Sequence, residues 1–70
     1  MYKLDLLQMI RIQMDTRFAI NNTVQYLLNP SIIFTITEIL IDDTGIYYTG
    51  FDQDKIQLGY YRQNFLELYE

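Results

Sequence analysis

The stretch from Ile32 to Phe51, IIFTITEILIDDTGIYYTGF, constrains the fold of this chain more than any other. Two runs rich in isoleucine, threonine, tyrosine and phenylalanine flank Asp42-Asp43-Thr44-Gly45, and such residues suit a pleated, half-buried surface. The pattern predicts a β-hairpin. Its short acidic turn needs one residue with positive φ, and Gly45 supplies that conformation without a Cβ clash. The first strand alternates imperfectly. Phe34 and Ile36 share one face, whereas Ile39 and Ile41 lie three and five residues past Ile36 and would fall on the other face under strict alternation. One extra residue near Thr37-Glu38, a β-bulge, returns all four to the same side and bends the strand. A bend of that kind is what a small barrel needs to close.

The flanks are read around this hairpin. Leu4, Leu6, Leu7, Met9 and Ile10 fit one broad helical face, which predicts a short N-terminal helical segment within residues 1–12. Met14, Thr16, Phe18 and Ile20 alternate with Asp15, Arg17 and Ala19, the pattern of a half-buried strand. Asn21-Asn22-Thr23 breaks it, and Val24 to Leu28 is expected as a short helical turn in a long first loop, ended before Pro30. Past the hairpin, Ile46 and Tyr48 should face inward, Tyr47 and Thr49 outward, and Gly50 should permit a turn or a bulge. Asp52-Gln53-Asp54-Lys55 reads as a turn, Ile56-Gln57-Leu58 as a strand, Tyr60 to Asn64 as a helical or 3₁₀ turn, and Leu66-Glu67-Leu68 as the last strand. The expected core is Phe18, Phe34, Ile36, Ile39, Ile41, Tyr48, Leu66 and Leu68. All of residues 1–70 form one domain, with residues 13–70 as its β portion.

Taken together, QMDTRF, FTITEILID, GIYYTGF and FLELYE, with one helical turn before the last, resemble the Src-homology-3-like small barrels. They are similar in particular to the small SH3-like proteins of uncharacterised function from Gram-positive phages and mobile elements. The resemblance implies a mainly β, five-stranded barrel that serves as a binding scaffold with variable loops. It carries over no site residues.

Composition removes several chemistries. The chain has no cysteine and no histidine, so disulfides, thiolate nucleophiles, the usual zinc sites and the commonest general base are absent. The three glycines are scattered and form no phosphate loop, and Ser31 has no histidine to activate it. Asp42/Asp43 and Asp52/Asp54 sit in turns at opposite ends of a hairpin, where they should be solvated and not converge on a metal. No enzyme activity, cofactor or metal is expected. A formal net charge of −4 with dispersed bases argues against nucleic-acid binding, and no apolar run approaches the roughly 20 residues of a membrane span. The N-terminal MYKLDLLQM carries Asp5 in its apolar part and is not expected to be a signal peptide. The cytoplasm of a bacterial host is the expected compartment.

Seven tyrosines are the main functional clue. Tyrosine offers a large rigid surface with a polar tip, and in so small a domain they cannot all be buried. Tyr47, Tyr60, Tyr61 and Tyr26 are the candidate protein-binding residues. The leading expectation is a non-enzymatic module, an accessory protein of a phage or mobile element that binds a host or phage protein and can pair as a homodimer. The rivals are a virion ring subunit of the head–tail connector kind and a nucleic-acid-binding small barrel.

Overall fold

The computed structural model describes residues 16–69. They build five antiparallel strands: β1 (Thr23–Tyr26), β2 (Ile33–Asp42), β3 (Gly45–Phe51), β4 (Gln57–Arg62) and β5 (Leu66–Leu68), with a 3₁₀ turn, Gln63–Phe65, before the last. One sheet holds them in the order β4-β3-β2-β1-β5. The expected N-terminal helical segment lies outside the described residues.

The central hairpin forms as its sequence requires. β2 and β3 pair from Thr35↔Phe51 to Asp42↔Gly45, leaving Asp43 and Thr44 as the loop, and Gly45 has φ +149°. Asp42 closes the turn: its Oδ1 accepts the Thr44 N–H at 2.8 Å, the Thr44 hydroxyl at 2.6 Å and the Gly45 N–H at 3.2 Å. The register steps from Ile36↔Gly50 to Glu38↔Thr49, so Thr37 is the extra residue of a bulge. Phe34 and Ile36 are buried, and the half-buried Ile39 and Ile41 pack against the same core.

A second irregularity mirrors the first. Tyr48 pairs with Tyr61 and Gly50 with Leu58, which leaves Gly59 and Tyr60 opposite Thr49 alone. Leu58 and Tyr61, three residues apart, therefore both meet the core. Thr49 has a bulge on either side and is completely buried, not outward-facing as alternation suggests; its hydroxyl donates to the Leu58 carbonyl. Gly50 is required by space. A Cβ there would lie 1.8 Å from the Thr35 carbonyl oxygen.

Further expectations are corrected. The turn expected from Tyr60 starts only at Gln63, because Tyr60–Arg62 belong to β4 and Tyr61 and Arg62 pair with β3. Val24 to Leu28 is not a helical turn; its first part belongs to β1, because Val24 and Tyr26 are strand formers with a ladder on each side, to β2 and to β5. Residues 16–19 are not a strand but an arm laid on the sheet. Arg17 N–H donates to Gln63 Oε1 at 2.9 Å, and the Phe18 ring meets Tyr48 edge-on at 5.3 Å. The sheet is not closed into a barrel: β4 and β5 stand at its two edges with no ladder between them. Rings fill that gap instead, Tyr26 to Tyr61 at 4.5 Å, Phe34 to Tyr61 at 5.5 Å and Tyr26 to Phe65 at 6.5 Å, where a ladder would need strands about 5 Å apart. Leu68 is half exposed at the end of the short β5, although Leu66 two residues earlier is buried, and Val24 and Ile46 take core places beside Phe18, Phe34, Ile36, Tyr48 and Leu66.

Candidate protein-binding surface

The four nominated tyrosines do not form one patch. Tyr26 and Tyr61 lie on the core side, half-buried and in ring contact, where they close the gap between the sheet edges. Tyr47 is on the outer face, but its contacts are internal. Its hydroxyl accepts from Arg62 Nη2 at 2.7 Å and shares a hydrogen bond with the Thr44 hydroxyl at 2.9 Å, and the Arg62 guanidinium lies 5.3 Å from its ring centre. Tyr60, two residues before Arg62 on β4, shares the outer face by alternation and is half exposed.

The outer face carries a more definite arrangement. Phe51 of β3 pairs with Thr35 of β2, and Thr35 pairs with Thr23 of β1. The Tyr69 N–H donates to the Thr23 carbonyl at 2.9 Å, one step beyond the Val24↔Leu68 pair. Phe51, Thr35 and Thr23 thus form one row across three strands, continued by Tyr69, the residue after β5. The threonine hydroxyls hydrogen-bond each other at 3.3 Å and make a short polar floor. The aromatic residues at either end are each more than two-fifths exposed and stand as walls. Between them is a cleft of about 380 Å³, whose lining also includes Ile33 and Ser31, with Asp52, Gln53 and Asp54 at one end.

The β3–β4 loop is shaped by the same carboxylate chemistry as the hairpin turn. Asp52 Oδ1 accepts the N–H groups of Asp54 at 2.9 Å and Ile56 at 3.0 Å, and Lys55 takes φ +62°. This holds Asp52 and Asp54 at the mouth of the cleft. One carboxylate of each acid pair, Asp42 and Asp52, thus has a local role in its turn, and no group of three metal-ligating side chains occurs among the described residues.

Phe51, Thr23, Thr35 and Tyr69 are not among the candidates named from the sequence. The missing signal was the register. Phe51 and Tyr69 are 18 residues apart and become neighbours across a cleft only when β1 is placed between β2 and β5.

No family model, curated protein or solved structure matches the chain. No helix among the described residues is long and apolar enough to cross a membrane.

Proposed function

We propose that this chain is a non-enzymatic protein-interaction module that works through the outer face of its sheet. The observation that carries the reading is the Phe51–Thr35–Thr23–Tyr69 row, with two exposed aromatic walls over a polar floor. Exposed aromatic side chains grouped around a concave site supply large contact area at low entropic cost, as at protein interfaces. Tyr60 and the Arg62-bound Tyr47 extend the same face, while Tyr26 and Tyr61 support it from within. The strand order and the 3₁₀ turn before β5 favour an SH3-like arrangement left open between β4 and β5. With the resemblance noted above, this points to an accessory protein of a phage or mobile element acting in a bacterial cytoplasm.

The test places a photo-crosslinking benzoyl-phenylalanine at position 51 and irradiates the full chain in a Gram-positive bacterial lysate. The expected result is an adduct with one protein that excess unlabelled chain suppresses. Adducts with nucleic acid alone, or none that compete, overturn the reading. Light scattering on the purified chain separates its rivals: a defined high oligomer supports the virion-ring alternative, whereas twice the 8.5 kDa chain mass supports the homodimer.

A further inference from the structure

The cleft on the outer face has a sign as well as a shape. We infer that it takes the lysine or arginine side chain of an extended basic segment in a protein partner, an inference that rests on reading the chain as a protein-interaction module. Two carboxylates, Asp52 and Asp54, line one end, and no lysine or arginine among the described residues lines it. Glu67 of β5 lies one row further along the same face, opposite Gln25. Among the described bases, Lys55 sits in the loop outside the lining, and Arg62 is stacked over Tyr47 at the far end of β3. The whole chain carries −4, so the approach of a cation is favoured at long range too.

The geometry suits one extended chain. Phe51 and Tyr69 stand three strands apart, about 14 Å at the usual strand spacing, which leaves room for a single backbone lying along β1 and β2. A basic side chain directed toward the β3–β4 loop passes the face of Phe51 before reaching the carboxylates. Its aliphatic stem meets apolar surface, and its charge meets both ring and carboxylate. Asp52 is already fixed by the two loop N–H groups it accepts, so the acidic end is set before a ligand arrives. A phosphate backbone would face those carboxylates with like charge, which makes a nucleic acid the wrong occupant.

The experiment follows the amide resonances of isotopically labelled full chain during titration. The probes are a capped hexapeptide of alternating valine and arginine, its valine–glutamate counterpart, and a short oligothymidylate. The valine–arginine peptide should shift Thr23, Thr35, Phe51, Asp54 and Tyr69, with binding that weakens as salt is raised. Asp54→Asn should weaken it by a factor of about 3 to 10, and Tyr69→Ala by at least as much. Both side chains are exposed, so unchanged resonance dispersion in the variants confirms that the fold is intact. Equal binding of the two peptides, shifts centred on Tyr26 and Tyr61, preference for the oligothymidylate, or no binding overturns the inference. If the peptide fails while the competed protein adduct at position 51 persists, the basic ligand alone is wrong. If both fail, the interaction module falls with it.

Discussion

The Tyr48 hydroxyl donates to Gln63 Oε1 at 2.5 Å, and the same oxygen accepts the Arg17 N–H at 2.9 Å. Three separate parts of the chain, the arm, the middle of β3 and the 3₁₀ turn, meet at that one acceptor. The Phe18 N–H in turn approaches the Tyr48 oxygen at 3.4 Å. A buried oxygen thus ties the arm to the middle of β3 and to the 3₁₀ turn.

Tyr48→Phe keeps the buried ring and deletes this junction. Removing one partner from a buried hydrogen bond costs about 1 to 3 kcal/mol, and the denaturant midpoint should fall accordingly with an unchanged slope. Amide exchange at Arg17 and Phe18 should accelerate more than exchange in β2. Equal protection of the arm in the variant would show that Phe18 packing alone holds it.

The same hydroxyl predicts an alkaline limit. Burial pushes Tyr48 above the usual tyrosine value, more than hydrogen bonds from Phe18 and Arg17 lower it. The folded state therefore favours the neutral phenol. Its contribution is complete below the unfolded value of about 10 and is lost as pH rises from there through the folded value. Urea melts of the wild type should lose stability above about pH 10 more steeply than those of Tyr48→Phe.

At the acidic end, Asp42 is the group to follow. The Thr44 hydroxyl, then the Thr44 N–H, hold its carboxyl below the ordinary value, with smaller help from the Gly45 N–H and the Arg62 charge. A depressed folded value means that its contribution is present above the unfolded value and is lost as pH falls through the folded one. Thr44→Ala removes the largest cause and should move the Asp42 carboxyl titration upward, measured by carbon-detected resonance. An unmoved titration would mean that the backbone N–H groups alone set it.

Two glycines should fail for different reasons. A Cβ at Gly45 meets nothing within 4 Å, so Gly45→Val costs backbone strain alone, on the order of 1 kcal/mol or more. Gly50→Ala drives a Cβ into the Thr35 carbonyl and should cost about 3 kcal/mol or more, enough to unfold much of so small a domain. Gly59→Ala meets open space and serves as the control, within about 0.5 kcal/mol of wild type by chemical denaturation.

The hairpin was legible because its signals are local. Alternation, an acidic turn and Gly45 all lie within 20 residues, and even the bulge at Thr37 followed from the phase of Ile36 against Ile39. β1 was not legible. Four residues, Thr-Val-Gln-Tyr, are too few to show a period, and what makes them a strand is pairing with β2 on one side and β5 on the other. The Met14–Ile20 alternation was sound for Phe18, which is buried, but misleading for Ile20, which is exposed beside the turn at Asn21 with φ +75°. The cleft was hidden for the same reason, since its two walls depend on β1 lying between them.

The bulge in β2 also gives that strand a reading frame. Because Thr37 has no partner on β3, deleting it joins Ile36↔Gly50 directly to Glu38↔Thr49 and leaves every inward residue inward. A deletion of Leu40 instead shifts Ile41 against Tyr47 and breaks the turn that Asp42 closes. Loss of one residue is thus a change of curvature at Thr37 and a change of fold three positions later.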